Sequence, residues 1–212
     1  MFFVVPEICG KILTVDSVKL NEIKAYWDSA LPMSEWWERM QSQPMDAAST
    51  HHEYLRVNRQ RVRRIQKSLV LTPEIKTAAS AVSLGSKWLI LNEHWCGDGA
   101  QILPVLDAVG QASSGHLSVR VLYRDQNLGL MDRFLTDGGR SIPKTIALNA
   151  DFDVVADWGP RPMKAMNLVR AWKADPEEAP HYARHLHKWY ARDRQVSIQA
   201  EILTHLLQPL VS

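Results

Sequence analysis

The chain has 212 residues, 46% of them hydrophobic and 23% charged, which supplies a sizeable core under an ordinary polar surface. A formal net charge of +2 is too small to point to nucleic acid or an acidic membrane from charge alone. Cys9 and Cys96 are the only cysteines, so no disulfide framework is available and the cytoplasm is the expected setting.

In chain order, Met1 to Val5 is apolar but short, lacks a basic segment and meets Pro6 at once, so it does not read as a cleaved signal peptide. No apolar run reaches the length of a membrane span. The first 80 residues read as helical. Asp16 can cap a helix carrying Val18, Leu20, Ile23, Tyr26 and Trp27, which Pro32 ends. Ser34 can cap a second helix bearing Trp36, Trp37 and Met40, stopped before Pro44. A third is expected from about Asp46 to Leu69, and Thr72-Pro73-Glu74 starts a fourth, with a capping hydroxyl followed by proline at the first helical position.

The pattern changes near residue 87. Trp88 to Leu91 is a continuous apolar run, as expected of a strand buried on both faces. A turn over Glu93 to Gly99 leads into a helix through Ile102, Leu103, Val105, Leu106 and Val109. Leu117 to Tyr123 reads as a second strand, and Leu128 to Leu135 as a helix ended by Asp137-Gly138-Gly139. Strands at Lys144 to Leu148 and Val154 to Trp158 follow, then helices at about Met163 to Lys173 and Glu177 to Leu207, the second of them long enough to contain a break. The order β-α-β-α-β-β-α requires one mixed sheet with helices on both faces, an α/β fold. The N-terminal helices, about residues 1–82, are expected to pack on it because their tryptophans need burial.

Cys96 falls between a strand end and a helix start, where unpaired N–H groups and the helix dipole favour a thiolate. The bland alternative is a buried, inert cysteine. Around it, Trp95-Cys96-Gly97 resembles the start of the thioredoxin motif Trp-Cys-Gly-Pro-Cys. Pro104 stands eight residues on, where thioredoxins have a kinking proline, and Asp125-Gln126-Asn127 ends the second strand as a similar run does there. Gly139 to Thr145 resembles the family's cis-proline loop, and Gly159 its glycine after the last strand. The resemblance spans about residues 85 to 175. It implies a thioredoxin-like domain over 83–212 with an extra C-terminal helix, and the N-terminal helices and Trp158-Gly159-Pro160-Arg161-Pro162 look like a bacterial thioredoxin-like group.

On that resemblance Cys96 is the nucleophile, and Trp95, Gly97, Asp98 and Gly99 complete the active-site motif. Ile142 and a cis Pro143 pair with an extended substrate by strand addition, and Gly159 leaves room for it. Two departures matter. Gly99 stands where dithiol proteins have a second cysteine, leaving Cys9 as the only other thiol, and Ile90 stands where thioredoxins usually have a buried aspartate. Glu93 and Asp98 are candidates for that acid. A carboxylate beside Cys96 raises its pKa, whereas a protonated His94 lowers it.

His181, His185 and His187 lie on one expected helix, and the first two, four residues apart, can share a metal, but no nearby cysteine or carboxylate completes a set, so no metal is expected. Arg56, Arg59, Arg61, Arg63, Arg64 and Lys67 read as a solvated helix face rather than a nucleic-acid surface. Arg140, Lys144 and Arg161 flank the expected site and can receive carboxylates of glutathione or an acidic peptide. The expected activity is thiol–disulfide exchange through one cysteine, with a protein disulfide or a low-molecular-weight thiol as partner and no metal, organic cofactor, nucleic acid or membrane. The alternative is a non-catalytic peptide- or protein-binding module.

Overall fold

The computed structural model describes residues 15–44 and 51–211, with side chains from residue 22 onward. Cys9 lies outside the described residues, as does the expected start of the third helix near Asp46. The helices are α1 (Val15–Ser29), α2 (Met33–Ser42), α3 (His52–Ser68), α4 (Pro73–Ala81), α5 (Gly99–Ala112), α6 (Leu128–Met131), α7 (Met163–Ala174), α8 (Tyr182–Asp193) and α9 (Val196–Ile202). The strands are β1 (Leu31–Pro32), β2 (Ser86–Asn92), β3 (Leu117–Tyr123), β4 (Lys144–Leu148) and β5 (Val154–Trp158).

They form one sheet in the order β1-β3-β2-β4-β5. β2 runs parallel to β3 and antiparallel to β4, and β5 is antiparallel to β4. Because successive side chains of a strand point to opposite faces, β2 feeds two cores at once. Trp88 and Ile90 join α2, α4, α5 and α9 on one face. Leu89 and Leu91 join Ile23 and Trp27 of α1, Leu130 and Met131 of α6, and Ile146 and Leu148 of β4 on the other. The apolar run is continuous for that reason.

Thr72 accepts the Ile75 N–H at 3.4 Å with Pro73 at the first helical position. Four local expectations need correction. Asp16 is already the second residue of α1, and α2 begins at Met33 after Pro32, so Ser34 is not its cap. Leu31 and Pro32, expected only to end a helix, pair antiparallel with Val121 and Arg120 as an edge strand, where a proline's missing N–H is tolerated. The helix expected to reach Leu135 stops at Met131, because the chain must turn back toward β4. The break allowed for in the last helix falls at Arg194 and Gln195, both left-handed (φ 49° and 63°), and Asp193 accepts from the Ser197 N–H at 3.0 Å to restart it.

The N-terminal helices are packed into the fold. Trp36 is 1% exposed and Trp27 is buried. Trp37 donates from Nε1 to Asp107 Oδ2 on α5 at 2.7 Å. No described helix is long and apolar enough to cross a membrane.

Candidate active site

β2 ends at Asn92, and a turn closed by the Cys96 N–H to the Glu93 carbonyl (3.0 Å) delivers Cys96 to the start of α5. The thiol donates to the Ile142 carbonyl at 3.3 Å, and the Gly99 N–H donates to Sγ at 3.3 Å. The Ile142–Pro143 and Gly159–Pro160 bonds are cis. Cys96, Trp95, Gly97 and Asp98 thus meet Arg140, Ser141 and Ile142 in a cleft of about 420 Å³. α8 supplies the opposite wall with Tyr182, Leu186 and His187, and Arg124, Arg161, His51 and Tyr54 complete it. Trp95 is half-buried at the mouth, stacked on His51 (4.8 Å, 16°) with the Arg124 guanidinium 5.4 Å from its ring.

Asp98 is the acid of this site. Its Oδ2 accepts from Arg161 at 2.5 Å and its Oδ1 from the Tyr190 hydroxyl at 2.6 Å. The pair is nearly desolvated, with side-chain exposures of 17% for Arg161 and 10% for Asp98. Burial pushes the Cys96 thiol up to about 12, and the Asp98 carboxylate pushes the same way. The Gly99 and Asp98 N–H groups and the Arg161 charge oppose them without prevailing. At neutral pH the resting group is therefore a thiol, and the helix start does not make it a thiolate.

The other acid candidate is occupied elsewhere. Glu93 accepts the Asp125 N–H at 2.9 Å, and burial raises its pKa. His94 does not assist the cysteine. It packs on Trp36 with 4.2 Å between ring centroids, and Nδ1 lies 2.7 Å from Gln43 Oε1. Burial pushes its pKa down to about 4, so at neutral pH it carries no charge to lower the thiol's pKa. Ile90 is wholly buried between the two neighbouring strands.

Three glycines acquire specific reasons. A Cβ on Gly99 would lie 2.4 Å from Asn92 Oδ1, so the buried Asn92 amide fills the place of a second thiol. A Cβ on Gly97 would lie 2.9 Å from the His187 ring, which lets α8 approach the cysteine's helix. A Cβ on Gly159 (φ +124°) would lie 2.2 Å from the Pro143 carbonyl oxygen. The space beside Gly159 is thus taken by the Pro143 loop, and neither residue lines the cleft.

Of the flanking cations, Arg140 lies at the cleft and binds Asp132 through two contacts of 2.6 and 2.8 Å. Lys144 is buried against Asp157 at 2.6 Å and does not line the cleft. His185 pairs with Glu178 at 2.7 Å, and no metal-binding group occurs among the described residues. Sequence reasoning missed Tyr190, and weighed His187 only beside a metal pair rather than as a wall of the cleft. Both lie on a helix about 90 residues downstream, and only a polar residue within an otherwise apolar helix face hints at Tyr190.

Among solved structures, the chain is similar to a protein of unknown function, PA1234 from Pseudomonas aeruginosa, at 13% identity and a TM-score of 0.58, over 84% of this chain and 93% of that one. It is also similar to an HIV epitope-scaffold, at 13% identity and a TM-score of 0.56, over 85% and 94% of the two chains. At such identities the likeness concerns the fold alone. No curated protein matches. A thioredoxin family model matches residues 45–173, more than half of the sequence, and takes in the Cys96 turn, the Pro143 loop and four strands of the sheet. On that match the chain belongs to the thioredoxin family.

Proposed function

We propose that the protein carries out thiol–disulfide exchange through Cys96 alone, on a protein disulfide or a glutathione-type disulfide. One observation carries the reading: the thiol forms the floor of an open cleft, bonded to the Ile142 carbonyl on the loop that faces it. In the reaction Cys96 loses its proton to solvent, and the thiolate attacks one sulfur of the disulfide. A Cys96–S bond forms, the old S–S bond breaks, and the other sulfur leaves as thiolate and takes up a proton. A low-molecular-weight thiol then attacks the mixed disulfide and frees Cys96. Losing the S–H donor also frees the Ile142 carbonyl to accept from an extended substrate.

The test is glutathionylation of the Cys9→Ser protein by glutathione disulfide, followed by mass spectrometry from pH 7 to 10. Adduct formation that rises about tenfold per pH unit supports the reading. A folded protein that stays unmodified at every pH, while the urea-unfolded chain reacts, defeats it.

The raised thiol pKa favours a second reading, a binding module that uses the same cleft without turnover. A Cys96→Ser protein that binds an extended peptide as tightly as the parent supports the module.

A further inference from the structure

Beside the cysteine cleft lies a second hollow of about 500 Å³, between α3 and α8. Arg61 and Arg64 of α3 face Arg184 and Lys188 of α8 across it, and Gln101 and His187 complete its polar lining. No acidic residue lines it.

The basic run of α3 divides into distinct fates. Arg56 pairs with Glu53 at 3.0 Å, Arg59 donates to the Met40 and Gln43 carbonyls, and Arg63 donates to Gln41 at 2.6 Å. Arg61 donates only to the neutral Asn58 Oδ1, at 2.8 Å. The side chains of Arg64, Arg184 and Lys188 have no hydrogen-bond or ion-pair partner among the described residues. Four cations thus share one hollow, and only Arg61 is bonded to any protein acceptor.

Arrangements of this kind carry an electrostatic cost, because like charges converge without an anion between them. Arg61 registers it: burial and the Arg64 charge together push its pKa down. Asp98 lies near enough to act on Arg61, but its oxygens are held by Arg161 and Tyr190. The floor has unspent polar capacity too. Gln101 is 1% exposed with Oε1 unpartnered, and buried His187 Nδ1 is unpartnered. No hydrogen bond from the Gln101 side chain occurs among the described residues, so the amide brings a neutral polar group to the hollow.

We propose that this hollow is a binding site for a multivalent phosphate anion of small-molecule size, held by Arg61, Arg64, Arg184 and Lys188. Guanidinium forks match phosphate oxygens in pairs, and the ammonium adds a point charge. The volume suits a compact ligand. No aromatic ring other than the His187 imidazole lines it, so it lacks the stacking platform that a single-stranded nucleic acid needs. The site does not depend on redox chemistry at Cys96, although His187 forms the partition between the two cavities.

The experiment is isothermal titration of the full chain with inorganic diphosphate at two ionic strengths. Saturable one-to-one binding is expected, weakening as salt rises. Arg184→Glu/Lys188→Glu alters two exposed side chains and is expected to weaken it about tenfold or more. Arg64→Ala gives a smaller loss and serves if the double variant fails to fold. Lys76→Glu/Lys164→Glu makes the same net charge change away from the hollow and is expected to leave binding unchanged. Cys96→Ser is expected to bind normally, whatever the fate of the exchange activity. Absence of saturable binding, or equal loss in the control pair, overturns the site. Loss in Cys96→Ser places the anion in the cysteine cleft instead. A single-stranded oligonucleotide that binds and is not displaced by diphosphate overturns it in favour of nucleic acid.

Discussion

Asp98→Asn separates the two electrostatic influences on Cys96. Asp98 and Arg161 both act on the thiol, and the carboxylate outweighs the guanidinium, so together they hold the pKa up. Removing the carboxylate leaves a nearly buried Arg161 cation acting alone. The change equals the carboxylate's own contribution, and the thiol pKa should fall by about 1. At pH 8, far below about 12, that gives about tenfold more thiolate and about tenfold faster alkylation by iodoacetamide in a Cys9→Ser background. Stability moves the opposite way. Breaking a desolvated pair by removing one partner costs about 3 kcal/mol, and the melting temperature should drop by about 6–12 °C for a chain of this size. Faster alkylation with a lower melting temperature is the expected pair of results. Unchanged or slower alkylation in a still-folded variant refutes the assignment of Asp98 as an acid that, with burial, raises the Cys96 pKa.

Gly159→Ala places a Cβ 2.2 Å from the Pro143 carbonyl at a φ of +124°, and should destabilise by about 3 kcal/mol or more, read as a lowered urea midpoint. A midpoint within error of the parent contradicts the close approach. At alkaline pH the folded-state pKa of Cys96 lies above its unfolded value, so its contribution is complete below pH 9.0 and is lost as pH rises toward about 12. The parent should lose more stability than Cys96→Ser across that window, and parallel curves argue against a raised pKa. On the acid side His94 and His187 are held down to about 4 from 6.5, both chiefly by burial. Their stabilisation is present above pH 6.5 and is lost as pH falls toward about 4. Replacing His187 with glutamine should flatten that decline, and an unaltered decline excludes His187 as a contributor.

The parts of this fold that were legible in the sequence are those governed by local physics. β3, β4 and β5 have the bounds that alternation and flanking turns indicate, and Thr72-Pro73 starts α4 by a side-chain cap visible within four residues. The strand–turn–helix around Cys96 is equally local. What was hidden depends on distant partners. The position of the Arg194–Gln195 break contains neither glycine nor proline, so no turn residue marks where the long C-terminal segment divides. Asp98 gives no sign in sequence that its two oxygens answer residues 63 and 92 positions away. His94 sits two residues from the cysteine and reads as its neighbour, yet the turn sends its ring to Trp36. The sign of the Cys96 shift was open for the same reason, because burial is a tertiary property and here it outweighs the helix start.

The residues around Cys96 act in one direction. Ile90 supplies no acid for proton transfer, the Asn92 amide fills the place beside Gly99 where a second sulfur would sit, and Asp98 opposes ionisation of Cys96. Each alone disfavours dithiol cycling, yet the Ile142 loop, the cleft and the helix start remain in place around the sulfur. Asp98 meanwhile binds Tyr190 of α8 and Arg161 just before α7, so one carboxylate ties the C-terminal helices to the start of the cysteine's helix. Those helices wall the cleft through Tyr182, Leu186 and His187. The carboxylate that adds to burial in raising the thiol's pKa is thus the one that holds the cleft's far wall.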